Sequence, residues 1–105
     1  MLLVNTDYIS GKELETLGIV KGSIVQTKNF GKDFMAGIKT LVGGEVTEYT
    51  DMLNQARQIA VKRMVDEAQA LGADAVVNVR YASSSVMQGA AEVIAYGTAV
   101  KYMLY

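Results

Sequence analysis

One short stretch of the chain, Leu71-Gly72-Ala73-Asp74-Ala75-Val76-Val77, constrains the fold most strongly. It ends a long segment of helical periodicity at a glycine and continues at once into an apolar run typical of a buried strand. A helix that leads directly into a strand is expected where a helical layer packs on a sheet. The sequence therefore predicts a two-layer α+β subunit.

Hydrophobic periodicity places the other elements. Residues 2–4 and 17–27 are predicted strands with a polar turn between them, and residues 30–42 are a predicted short helix. A long helix is predicted from Thr47, as its N-cap, to Leu71. Its predicted apolar face comprises Tyr49, Met52, Leu53, Ala56, Ile59, Ala60, Met64, Ala68 and Leu71. The whole chain, residues 1–105, is a single predicted domain.

The last third of the chain predicts a hairpin, with arms at residues 75–81 and 93–104 and a polar connection at residues 83–89. The predicted sheet is small and mostly antiparallel. Its last arm is apolar on both sides, whereas one helical layer covers only one face. Apolar surface left in water forgoes about 25 cal/mol per Å². We therefore predict a homo-oligomer, in which other copies of the chain cover the second face.

Composition excludes several functions. The net charge of −1 gives no basic excess for a phosphate backbone, so we expect no nucleic-acid partner. Cysteine and histidine are both absent, which removes Ser-His and Cys-His catalysis and zinc-finger chemistry. We identify neither a signal peptide nor a membrane span, and expect a cytoplasmic location.

A series of motifs in order connects the chain to a known family: Asp33-Phe34-Met35-Ala36-Gly37-Ile38-Lys39, Val42-Gly43-Gly44, Tyr49, Ala56-Arg57, Leu71–Val77 and Gly97-Thr98-Ala99-Val100. In this order the chain resembles the YbjQ-like family, small bacterial and archaeal proteins often labelled heavy-metal-binding. The resemblance spans about residues 20–101. It implies a two-layer α+β subunit assembled into a pentameric ring, and it implies no established enzyme activity.

The chain departs from the family pattern at three positions. Lys32 replaces the usual arginine before the aspartate, and Glu45 replaces an arginine after the double glycine. Asn78 stands where glycine is usual. Because Glu45 reverses the charge at that position, it disfavours anion binding there in this chain.

Seven residues are candidates for ligand binding: Asp33, Lys39, Gly43, Gly44, Tyr49, Arg57 and Asp74. Asp74 could ligate a cation or meet a partner chain, but we favour a local hydrogen bond where helix becomes strand. Asp33 and Lys39 could line a polar pocket or lie solvated on a helix. Gly43-Gly44 could cradle phosphate, although a tight turn explains it better. Arg57 is expected to pair across a subunit contact.

Other side chains have simpler explanations. Lys62 with Asp66 and Arg63 with Glu67 are predicted ion pairs on an exposed helical face. The six methionines are interpreted as core filling rather than a copper site. Four tyrosines of the hairpin are expected to pack at an interface, although they could stack on a planar ligand. These are Tyr81, Tyr96, Tyr102 and Tyr105.

Three functional hypotheses remain. We favour a non-enzymatic, ring-forming protein that binds a small ligand or ion at its subunit junctions or central channel. The only metal consistent with the side chains is a hard cation on carboxylate oxygens, and no cofactor or catalytic residue is assigned. The alternative is an enzyme that transfers protons through Asp33, Lys39 and Tyr49, and the third is a protein-binding scaffold.

Overall fold

A computed structural model describes residues 1–27 and 47–104 of the chain. The elements are strand β1 (Leu2–Leu3), strand β2 (Leu14–Thr27), helix α1 (Thr47–Ala70), strand β3 (Ala75–Met87) and strand β4 (Ala90–Tyr102). The strands form a mixed sheet in the order β1-β3-β4-β2, parallel between β1 and β3 and antiparallel elsewhere. Helix α1 packs on one face of this sheet, which confirms the α+β prediction. The predicted short helix at residues 30–42 lies outside the described residues.

The junction from helix to strand forms as the sequence predicts. Gly72 adopts a left-handed conformation with φ of 76°. Its N–H donates to the Gln69 carbonyl at 2.9 Å, and the Ala73 N–H donates to the Ala68 carbonyl at 3.1 Å. This pair of bonds is the Schellman arrangement, which satisfies carbonyls at the end of a helix. The chain can therefore leave α1 and enter β3 within a few residues.

The main core lies between α1 and the sheet. Small side chains on the helix bring it close to β2, where a Cβ on Gly22 would overlap the backbone of Ala60 and Met64. Leu71 was predicted to belong to the apolar face, but it follows the end of α1 and is exposed. The fully enclosed members of this core are Val20, Ala56, Ala60, Met64, Ala68, Val76, Val93, Ala95 and Ala99.

A second cluster covers part of the opposite face of the sheet. Ala75, Val77 and Val100 are buried there, with Val4, Ile9, Leu14 and Tyr102 packed against them. Because Val4 and Ile9 belong to the segment that joins β1 to β2, one subunit covers this end of its own second face. Periodicity alone does not predict this cover, so the apolar surface left exposed is smaller than the periodicity suggests.

The rest of that face is exposed, and we call it the open face. Register places Ile19, Lys21 and Val25 of β2 on it, opposite Thr98, Tyr96 and Glu92 of β4. The exposed fractions are 78% for Ile19, 56% for Val25 and 40% for Tyr96. The open face, defined by Ile19, Lys21, Val25, Glu92 and Tyr96, therefore presents apolar side chains together with charges of both signs.

The hairpin differs from its predicted boundaries. Ser83, Ser84 and Ser85 were assigned to the connection, but they pair with Val93, Glu92 and Ala91 inside the ladder. The turn contains only Gln88 and Gly89, with Gly89 at a φ of 77°. Pairing with the long β4 strand outweighs the turn preference of serine, because strand preference depends on cross-strand context.

Candidate functional site

Asp74 is fixed by two hydrogen bonds to β4. Its N–H donates to the Val100 carbonyl at 2.8 Å, and its Oδ2 accepts the Tyr102 N–H at 2.8 Å. The carboxylate thus joins the helix–strand junction to a distant strand, rather than making the local turn bond that we predicted. This contact assigns Asp74 a structural role.

Arg57 and Tyr49 both lie on α1 and are half-buried. The Nη1 of Arg57 donates to the Oδ1 of Asn54 at 2.9 Å on the same helix. Tyr49 lies in the first turn, whereas Asp74 follows the last, so about 30 Å of helix separates them. The three candidates that the structure describes therefore do not converge on one site.

The other four candidates, Asp33, Lys39, Gly43 and Gly44, lie outside the described residues, as does the departure at Glu45. The predicted polar pocket and the predicted proton-transfer cluster therefore remain predictions.

The two predicted ion pairs have different outcomes. Lys62 Nζ lies 3.0 Å from Asp66 Oδ2, which confirms that pair. Arg63 and Glu67 instead bind the backbone of β2, because the helix passes close to that strand. Arg63 Nη1 donates to the Ser23 carbonyl at 2.7 Å, and Glu67 Oε1 accepts the Lys21 N–H at 3.3 Å. These side chains satisfy polar groups on an outer strand of the sheet, which reduces its tendency to pair with another chain.

A cavity lies where β1 ends beside β3, and we call it the β1–β3 groove. It has a volume of about 680 Å³ and is lined by residues 3–6 and 79–81. Leu3, Val4 and Val79 contribute apolar surface, and Arg80 contributes a guanidinium. Arg80 Nη1 donates to the Asn5 carbonyl across the groove at 3.4 Å.

A smaller cavity of about 350 Å³ is lined by Arg57, Gln58, Val61 and Tyr81. Tyr81 therefore lines both cavities, and Arg57 is the only predicted candidate that lines either one within the described residues.

Arg80 was not among the residues predicted from the sequence. Its position depends on an irregularity in β3 that shifts the register between Val77 and Arg80. The only feature of the sequence that pointed to this irregularity was Asn78, at a position where the family pattern has glycine.

The donor set of the chain does not fit a soft heavy metal. The chain has neither cysteine nor histidine, the ligands that soft heavy metals prefer. Within residues 1–27 and 47–104, no group of three or more carboxylates is placed to hold an ion. Met52 and Met64 are buried, as core filling predicts, whereas Met1, Met87 and Met103 are exposed, so core filling is wrong for these three. Met35 lies outside the described residues.

Comparison with known proteins now decides the family. Residues 1–103 match the sequence profile of the YbjQ_1 family, described as "Putative heavy-metal-binding". This chain belongs to that family. A UPF0145 protein of Clostridium novyi is 67% identical over 103 residues, covering 98% of this chain and all of that protein. A UPF0145 protein of Methanosarcina acetivorans is 57% identical over 104 residues, covering 98% of each chain.

A solved structure confirms the fold of this YbjQ_1 member. The crystal structure of a DUF74-family protein of unknown function from Pediococcus pentosaceus superposes with a TM-score of 0.64 at 14% identity. The match covers 98% of each chain. No helix in the described ranges is both long enough and apolar enough to cross a bilayer.

Proposed function

We propose that this protein is a non-enzymatic, cytoplasmic homo-oligomer whose subunits pack through the open face and bind a small ligand at their junctions. The observation that carries the proposal is the exposure of Ile19, Val25 and Tyr96 on one side of a sheet. Exposed apolar side chains grouped on one face of a sheet are a frequent feature of interfaces. A closed ring of five is the arrangement that the YbjQ-like resemblance implies.

Charge supports a second copy as the partner. Lys21 and Glu92 lie on the open face with opposite signs, beside the apolar side chains. A surface that carries both charges can be complementary to itself or to a rotated copy of itself.

The position of the β1–β3 groove supports ligand binding at the junction. Arg80, which lines the groove, pairs with Tyr96 of the open face across the β3–β4 ladder. A copy that covers Tyr96 would therefore lie beside the groove. The donor set does not fit a soft heavy metal, so the proposal includes no such ion.

The proposal is tested by placing charge on the open face. Ile19→Lys combined with Val25→Lys should dissociate the oligomer, because buried lysines without partners are strongly unfavourable at an interface. Leu71→Lys is the matched control, since Leu71 is an exposed apolar residue at the end of α1. Light scattering coupled to size exclusion measures the mass. Retention of the wild-type oligomeric mass by the double variant would contradict the proposed interface.

A further inference from the structure

The β1–β3 groove is built by an unusual backbone segment. Asn78 adopts a left-handed conformation with φ of 54°, which costs free energy for a residue with a side chain. Its N–H donates to the Thr6 carbonyl at 2.8 Å, and the Val79 N–H donates to the Val4 carbonyl at 3.0 Å. These bonds hold the two walls of the groove at a fixed separation. A bulge commonly re-aims side chains in this way beside functional sites.

Gly97 of β4 makes the same bulge possible from the neighbouring strand. A Cβ on Gly97 would lie 2.7 Å from Val76 Cγ1, 2.8 Å from the Val77 carbonyl oxygen and 3.4 Å from Val79 Cα. The bulged segment therefore needs a glycine beneath it. The shape of this groove therefore depends on the hydrogen bond of the Asn78 N–H, the hydrogen bond of the Val79 N–H and the absence of a side chain at Gly97.

The lining of the groove has a definite chemistry. Leu3, Val4 and Val79 line the groove together with Arg80, and no carboxylate is among the lining residues 3–6 and 79–81. Within the described part of the chain, Arg80 makes one long hydrogen bond, to the Asn5 carbonyl. A guanidinium carries five N–H donors, so most remain to bind an anion. The volume of about 680 Å³ is in the range of small-molecule sites.

We propose that the β1–β3 groove binds a small organic anion, a carboxylate or phosphate attached to an apolar or aromatic group. Arg80 binds the anionic group, and Leu3, Val4 and Val79 contact the apolar group. Tyr81 lies at the edge of the groove, where its ring can contact a planar ligand. This inference rests on the proposed function, since it names the ligand class of the junction site.

The test uses benzoate and phenyl phosphate as probes, and benzyl alcohol as a neutral probe of similar shape. Isothermal titration calorimetry on the full chain gives the dissociation constants. Arg80→Gln removes the charge and should weaken benzoate binding about tenfold or more, because charge-assisted hydrogen bonds are lost. Lys62→Gln is the matched control, since Lys62 is an exposed cation on α1 that is not part of the groove lining. It should leave binding unchanged.

Amide chemical shifts locate the site. Benzoate should perturb the amides of Thr6, Val79 and Arg80, and benzyl alcohol should bind the wild type and Arg80→Gln equally weakly. The two anionic probes then distinguish a carboxylate site from a phosphate site. Absence of binding by both anions at millimolar concentration would overturn the proposal. Equal benzoate affinity in Arg80→Gln and wild type would also overturn it, because Arg80 would then not bind the anionic group.

Light scattering on the same samples separates this inference from the proposed assembly. An oligomer that binds neither anion contradicts the groove as the ligand site and leaves the assembly intact. A monomer that binds benzoate through Arg80 contradicts the assembly and leaves the anion site intact.

Discussion

Asp74 was a candidate ligand-binding residue, and the structure shows that it makes hydrogen bonds to β4. Its carboxylate accepts the backbone N–H of Tyr102, and its own N–H reaches Val100. Sequence alone indicated a polar residue at a junction, which is compatible with ligation, partner contact or a backbone bond. The structure shows the backbone bond, which depends on the pairing of β4 beside the junction and so joins residues distant in the chain.

Substitutions at Asp74 should separate the structural role from ligation. Asp74→Ala removes the acceptor of the Tyr102 N–H and should lower the free energy of unfolding by about 1 kcal/mol. Asp74→Asn keeps a side-chain oxygen and should recover most of that loss. Urea unfolding, with hydrogen exchange at the Tyr102 amide, measures both effects. A destabilisation of Asp74→Asn equal to that of Asp74→Ala would show that the negative charge matters instead.

Arg63 and Glu67 show a second limit of residue-scale prediction. Their spacing on a helix predicts an ion pair, but each contacts a backbone group of β2. Helical spacing gives the neighbours within one element only. Lys62 and Asp66, whose side chains are 76% and 56% exposed, meet no such competitor and pair as predicted.

At the scale of elements, the packing of α1 on β2 depends on the absence of a side chain at Gly22. The helix contributes small residues such as Ala60, and the strand contributes bare backbone, so the two elements approach closely. Glycine inside a strand usually marks a bulge or a close approach of another backbone. The structure assigns the close approach to Gly22 and a register shift to Gly18.

Gly22→Ala should therefore destabilise the fold more than its size suggests. The added Cβ would overlap backbone atoms of Ala60 and Met64, and backbone cannot move aside as a flexible side chain does. Overpacking of this kind costs about 1–3 kcal/mol or more. Ser23→Ala is the control, since the Ser23 contact to Arg63 uses only the backbone carbonyl. Thermal unfolding should show a lower midpoint for Gly22→Ala alone, and an unchanged midpoint would refute the close approach.

Most elements could be predicted because their periodicity is long. Helix α1 and strand β2 match their predictions to within a few residues. The end of β3 and the start of β4 could not be predicted correctly from the sequence, because Ser83–Ser85 are polar and serine favours turns when only local sequence is considered. Arg80 and the groove could not be predicted, since both depend on a bulge stabilised by the distant residues Val4 and Thr6.

At the scale of the whole molecule, the sheet has two unequal faces. Helix α1 covers one face, and the segment between β1 and β2 covers one end of the other through Val4 and Ile9. The open face remains exposed and presents apolar and charged side chains, and the proposed assembly covers it with another copy of the same chain. Periodicity predicted that β4 is apolar on both sides, but not how far a single subunit covers its own second face.

Sedimentation equilibrium of the wild-type chain at low micromolar concentration tests the central claim most directly. If copies of the chain cover the open face, the mass should be a multiple of the 11.3 kDa subunit, and a ring of five is the expected value. A stable, soluble species of 11.3 kDa across the concentration range would contradict the account.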